Sequence, residues 1–157
     1  MKNTIITATA FVFIVNTACA KKIKETEVPK AVVTSFQTHF KEAKAKSWDK
    51  EKDGRYEAEF DWNKVETSAT FSAGGKLLET EQEIKVSQLP KTVTDYVTKN
   101  YSGHKIAEAA KIKDATGKMT YEAEVKKDKE EIDLLFDDKG NFIKKTVEAP
   151  EKGDKKD

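Results

Sequence analysis

Hydrophobic positions along this chain recur with two different periods. After the polar stretch KKIKETE, Val28-Pro29 leads into a segment where Val32, Phe36 and Phe40 recur every four residues, a single apolar stripe at helical spacing. Leu89-Pro90 opens a second such segment with Val93, Val97 and Tyr101, displaced from the first by a constant 61 residues. Pro29 suits the first turn of a helix, where its missing N–H has no partner to lose. Each helical segment is followed by short runs that alternate with period two and are divided by turn residues. The first set reads as strands over 44–51, 55–62, 65–73 and 76–84, and the second as 105–114, 119–126, 130–137 and 141–147. Asp53-Gly54 predicts a tight type I′ hairpin, in which both central residues take positive φ.

A short phrase ties the halves together. RYEAEF at 55–60 returns as TYEAEV at 120–125, and Phe71…Gly75 returns as Phe136…Gly140, both at an offset of 65 residues. The step from 61 to 65 places four extra residues between the second helix and its second strand. The chain therefore reads as a tandem duplication of a helix and about four antiparallel strands. Joining the two units edge to edge would remove an exposed edge from each. The expected fold is α+β: one continuous eight-stranded antiparallel sheet with both helices on the same face. Boundaries follow at 1–20 for a leader, 21–86 and 87–147 for the two repeats, and 148–157 for a polar tail expected to be disordered.

The leader changes where the protein is expected to work. Lys2, the apolar run from Ile5 to Val15 and the small residues Ala18-Cys19-Ala20 have the layout of a secretory signal peptide. The run is too short to span a bilayer, which takes roughly 20 apolar residues. Cleavage after Ala20 would leave a soluble exported chain beginning at Lys21, placing it in the periplasm. The alternative is a lipobox ending at Cys19, with a lipid anchor on that residue, although Asn16 stands where a leucine is usual. If Cys19 is removed, no cysteine remains. Thiol catalysis and thiolate zinc sites are then excluded, and the fold must be held by core packing.

Charge narrows the partners. The chain has 29 Lys+Arg against 28 Asp+Glu, Arg55 being the sole arginine. A near-neutral, lysine-rich surface lacks the arginine forks suited to phosphate, so nucleic acid is not an expected partner.

Candidate chemistry is sparse. Glu57, Glu59 and Asp61 fall on one side of a strand, and Glu122 and Glu124 repeat them, which makes this the candidate partner-binding face. Read as acid/base groups they would need environments that separate their pKa values. The plainer reading is a solvated face paired with lysines of neighbouring strands. His39 and His104 have no metal-ligand spacing, Gly74-Gly75-Lys76 lacks the rest of a phosphate loop, and no nucleophile elbow occurs. No catalytic residue, cofactor or metal site is expected. Phe36, Phe40, Tyr56, Phe60, Phe71 and Tyr121 read as core. Trp48 and Trp62 read as packing residues under a helix or as anchors for a partner.

Val28-Pro29-Lys30-Ala31-Val32, Tyr56-Glu57-Ala58-Glu59-Phe60 and Gly75-Lys76-Leu77-Leu78-Glu79, with Leu89-Pro90 and Tyr121-Glu122-Ala123-Glu124 as second copies, resemble the β-lactamase-inhibitor-like, PepSY-like family of exported proteins from Gram-negative bacteria. The resemblance covers nearly all of the chain between leader and tail. It implies two αβ4 repeats forming an eight-stranded sheet with the helices on one side. It also implies a binding or inhibitory role, because the namesake inhibitor grips its enzyme with an exposed sheet face and hairpin loops. PepSY modules are similarly thought to restrain peptidases. The chain lacks the disulfide pairs of the true inhibitor. The expected function is a non-enzymatic binding module for another envelope protein or peptide. A periplasmic small-ligand carrier, using a groove between the repeats, and a metal-responsive envelope sensor are the alternatives.

Overall fold

Pro29 and Pro90 each stand immediately before a ten-residue helix, α1 (Lys30–His39) and α2 (Lys91–Asn100). Both prolines occupy the cap position with extended ψ of 137° and 140°, one residue earlier than a first-turn placement. The ring fixes φ and the extended ψ turns the chain into the helix from outside. A single 3-10 turn precedes each proline, Glu25–Glu27 and Val86–Gln88. The Lys24 N–H donates to the Glu27 carboxylate at 3.0 Å, and the Lys85 N–H to Gln88 Oε1 at 2.9 Å. These local bonds occupy backbone donors that would otherwise be orphaned at a helix entrance. At the far ends, the N–H groups of Phe40 and Tyr101 return to the carbonyls of Phe36 and Val97.

This computed structural model describes residues 20–147; the leader and tail expectations fall outside them, Ala20 apart. Among the described residues the fold is α+β, with two α-helices and one antiparallel sheet of nine strands. The strands are β1 (Lys21–Ile23), β2 (Ala45–Lys50), β3 (Tyr56–Trp62), β4 (Val65–Phe71), β5 (Leu77–Glu83), β6 (Lys105–Asp114), β7 (Met119–Lys127), β8 (Glu130–Asp137) and β9 (Phe142–Val147). Each strand lies beside its predecessor, so the sheet order is the chain order. The expected count of eight is corrected to nine because Lys21–Ile23 pairs with Lys50–Trp48 of β2. That stretch has no period to announce it. It covers an edge of β2 that the sequence pattern left open. The other edge, β9, exposes Phe142, Ile143 and Val147 but also carries Lys144 and Lys145, whose charges discourage further strand addition.

The turns differ from one expectation. At Asp53-Gly54 only the glycine has positive φ, 85°. The Glu51 N–H bonds to the Arg55 carbonyl and the Gly54 N–H to the Glu51 carbonyl, giving a three-residue loop closed by glycine. The same pair of bonds recurs at Ser72–Lys76, Asp114–Lys118 and Asp137–Asn141. The turn with two positive φ values is Asn63-Lys64, at 53° and 66°.

Two apolar clusters hold the layers. Val32, Phe36 and Phe40 pack with Trp48, Tyr56, Ala58, Phe60, Ala69 and Phe71. Val93 and Val97 pack with Ala109, Ala123, Val125, Ile132, Leu134 and Phe136. The first is a nest of rings, with Phe36 centred 4.9 Å from Phe60 and 5.5 Å from Trp48. The second is mostly aliphatic. Trp48 is buried in the core, and Trp62 lies against Phe40 at 5.5 Å, so both tryptophans are packing residues.

Candidate functional site: an acidic sheet face

Strand alternation sends Tyr56, Ala58 and Phe60 to one side of β3 and Glu57, Glu59 and Asp61 to the other. The register extends the acidic side outward. Glu57 pairs with Asp49 of β2 and Thr70 of β4, and Thr70 pairs with Glu79 of β5. Glu81, two residues on from Glu79, pairs with Ser68 of β4 and Ile112 of β6. On β7, Glu122 pairs with Ala110 of β6 and Leu135 of β8, while Glu124 pairs with Glu108 and Asp133. Residues opposite one another in a ladder share a face. The five candidate acids are therefore joined by Asp49, Glu79, Glu81, Glu108 and Asp133 into a single acidic expanse.

The expected solvation is where the structure departs most from the pattern. Glu57, Glu81, Glu124 and Asp133 are buried, at 5%, 3%, 6% and 3% exposure. Glu59 and Glu122 are half-buried, and only Asp61 is exposed. A carboxylate in the middle of a wide sheet is walled by strands on both sides and by its own neighbours two residues away. Alternation reports which face a residue takes and carries nothing about how crowded that face is.

Lysines pair with acids at the margins of the face. Lys46 meets Asp61 at 2.7 Å, and Lys126 meets Glu124 at 2.8 Å and Glu131 at 3.6 Å. Ser47 donates to the Glu59 carboxylate. Among the described residues, no ion pair within 4 Å reaches Glu57, Glu79, Glu81 or Glu122. One oxygen each of Glu57 and Glu81, Oε1, is buried without a hydrogen-bond partner.

Electrostatics follow from this crowding. Burial pushes the Glu57 carboxyl up to about 7, against a hydrogen bond from Ser68 that favours the charged form. Burial, and then Asp133 and Glu124, push Glu122 up to about 8. Burial, and then Glu124, raise Glu108 to about 7. Glu81 is held well above the usual carboxylate range by burial first, and next by the charges of Glu122 and Glu57. Glu79 and Asp49 shift in the same direction through burial. Of these, Glu57, Glu108 and Glu122 exchange protons near neutrality.

The other sequence candidates stand apart. His39 is on the exposed side of α1, bonded to the Ser35 carbonyl at 2.9 Å, and His104 Nε2 lies 3.4 Å from Glu130. Among the described residues, no three His, Cys, Asp or Glu side chains are placed to hold a metal ion. A cleft beside the β6–β7 hairpin is lined by Leu77, Glu79, Thr80, Lys113, Asp114 and Thr116, with no aromatic ring among these. Asp49 and Glu108 were missing from the face read from the sequence, as were Glu79, Glu81 and Asp133. The alternation of LETEQE and of EIDLLF was the signal available for them, once the register was known.

Comparison with known proteins places this architecture. The family described as beta-lactamase-inhibitor-like, PepSY-like matches twice, over residues 15–79 and 54–144. The chain belongs to that family. A protein of Bacteroides eggerthii described as periplasmic shares 15% identity, with 76% of this chain and 88% of that one covered at a TM-score of 0.67. A DUF2874 family protein from Bacteroides uniformis shares 17%, over 76% and 88%, at 0.66. A BLIP-like protein from Bacteroides fragilis shares 19%, over 76% and 86%, at 0.59. At these identities the likeness is one of fold. No curated protein matches the chain. Among the described residues no helix is long and apolar enough to cross a membrane.

Proposed function

We propose that this PepSY-like chain is an exported, non-enzymatic binding module that engages another envelope protein or peptide through the sheet face opposite its helices. The register supports a single helix-covered side. It runs from Tyr56 to Phe71 across β3–β4, through Thr80 and Lys113 at β5–β6, and on through Ala109, Ala123 and Leu134. A tandem duplication is the simplest source of the two prolines, the two ten-residue helices and the four like turns. The four extra residues then lengthen the two arms of the β6–β7 hairpin by two each. The repeats divide at 86/87. A leader cleaved after Ala20 agrees with the periplasmic description of the Bacteroides eggerthii neighbour, and the mass of the exported product separates this from a lipid anchor at Cys19.

The observation that carries the reading is the buried acid at the centre of the bare face, where Oε1 of Glu57 and of Glu81 has no hydrogen-bond partner. A strand needs only β-formers there, and burying carboxylates opposes folding. Their presence fits a surface built for contact. The experiment is capture from envelope extract with the chain Lys21–Asp157 as bait, beside a bait carrying Glu59→Lys and Asp61→Lys and another carrying Lys41→Glu on the helix side. A stoichiometric partner lost only with the first variant is the expected result. A partner that tolerates it, or no stoichiometric partner across several growth conditions, removes the reading.

A further inference from the structure

The acids of the sheet centre form a row rather than a scatter. Asp49, Glu57, Glu81, Glu122 and Asp133 lie on β2, β3, β5, β7 and β8 along a diagonal that crosses six interstrand steps and advances two residues along the strands at each of its last three stages, roughly 35 Å at the usual strand spacing and rise. That length matches about ten residues of extended chain. Apolar side chains break the acid at two points. Ile112 pairs with Glu81 and Leu135 with Glu122, giving beds on which the methylene stems of long cationic side chains can lie.

Every element around the carboxylates of Glu57 and Glu81, each with one partnerless buried oxygen, contributes either an acid or a neutral group. Glu57 faces Asp49 and Glu51 from β2 and its turn, Glu59 from its own strand, and Ser68 and Thr70 from β4. Around Glu81 stand Ser68 of β4, Glu79 of β5, Ile112 of β6, and beyond them Glu57, Glu122 and Asp133. The cations that act on the row belong to its rim: Lys22 on Asp49, Arg55 on Glu51 and Glu79, Lys144 on Glu79 and Glu122.

Resting on the binding-module reading above, we propose that the row seats an extended basic polypeptide segment, whose ammonium or guanidinium groups supply the partners that the buried oxygens of Glu57 and Glu81 lack. An arriving cation favours the ionised carboxylate. Since Glu57 and Glu122 are held up to about 7 and about 8, part of the row is protonated near neutrality and binding expels those protons. Affinity therefore rises as the pH rises through this range.

The test is calorimetric titration of the chain Lys21–Asp157 with a capped peptide of about ten residues bearing lysine at every third position, beside its glutamine counterpart. Buffers of different ionisation enthalpy report the protons released. The lysine peptide should saturate one site, about tenfold more tightly at pH 8 than at pH 6, with protons released. The glutamine peptide should not bind. The double variant Glu57→Gln/Glu81→Gln should weaken binding at pH 8 about tenfold and flatten its pH dependence. Its melting curve reports folding independently of binding. Equal binding of the two peptides, or undiminished binding by a folded double variant, overturns the proposal. So does saturation of the site by spermidine with displacement of the peptide, which would assign the row to a free polyamine. If the lysine peptide is ignored while an envelope partner is still lost on Glu59→Lys/Asp61→Lys, the sheet-face reading stands and this one falls.

Discussion

Glu81 on β5 and Glu122 on β7 are separated by the single strand β6, where Ile112 and Ala110 are the residues they pair with. Burial raises the proton affinity of both, and the charge of Glu122 raises that of Glu81 further. The folded chain therefore holds protons on these groups that the unfolded chain has already released. Between the ordinary carboxylate range and about pH 8, the native state binds more protons, so stability falls as pH rises. The melting temperature should decline from pH 5 to pH 8.5, opposite to the usual acid lability of carboxylate pairs. Glu57→Gln should recover about 3 kcal/mol at pH 8.5, by the worth of its shift in proton affinity, and almost none at pH 5. Calorimetric melts of both chains across that interval check it. A melting temperature that rises through the interval would contradict the burial of this row.

The hairpin tips under the helix entrances depend on two glycines. Gly75 and Gly140 have φ of 83° and 79°, and a Cβ on either would overlap the opposing helix, at the Ala31 carbonyl and at the Thr92 hydroxyl respectively. Thr92 Oγ1 in turn donates to the Lys139 carbonyl at 2.9 Å, locking turn to helix. Gly54 and Gly117 have the same backbone sign but open space around them. Alanine at Gly54 or Gly117 should cost about 1 kcal/mol from backbone strain alone. At Gly75 or Gly140 the clash adds to this, for a total of about 3 kcal/mol. Urea denaturation of the four single variants separates the two effects. Equal losses at all four positions would mean that the turn-to-helix contacts contribute nothing.

The two copies of the YEAE phrase do not weigh the same. Tyr56 is 7% exposed within the ring cluster, whereas Tyr121 is half-buried at the margin of its cluster. Tyr56→Ala should destabilise by about 3 kcal/mol or more and Tyr121→Ala by about half as much. Denaturant midpoints at constant m-value provide the measurement.

Position and face were legible in the residues; depth was not. Val32, Phe36, Val93 and Val97 announce their helices because a four-residue stripe has one solution, and Tyr56, Ala58 and Phe60 announce an inward strand face. Lys21–Ile23 could not be read as a strand, because its pairing with β2 is a tertiary event and three residues carry no period. Asp53-Gly54 showed the presence of a turn but not its class, which depends on whether one residue or two adopt positive φ. Glu57 and Glu81 look like any outward glutamates in a strand. Only the register, which sets Asp49, Glu57, Glu81 and Glu122 from separate parts of the chain along one diagonal of the same face, makes their burial visible.

Phe36 and Val97 occupy corresponding helix positions 61 residues apart, yet they sit in different cores. The ring of Phe36 lies within 6.5 Å of those of Phe40, Trp48, Phe60 and Phe71, three of them edge-on. Val97 meets a cluster built chiefly from aliphatic side chains. Removing the Phe36 ring forfeits both its buried area and the edge-to-face contacts, so Phe36→Ala should cost about 4–5 kcal/mol. Val97→Ala should cost about 2 kcal/mol, near the transfer value of the lost methyl groups. Since β5 and β6 join the halves through a continuous ladder, the two losses should appear in one cooperative transition. Chemical denaturation followed by tryptophan fluorescence, which reports the first half through Trp48 and Trp62, and by far-ultraviolet circular dichroism, which reports both, decides the point. Coincident curves for Phe36→Ala are expected. A fluorescence midpoint that falls while the circular dichroism splits into two steps would show the halves unfolding separately, and the shared sheet would then be a docking of two independent units.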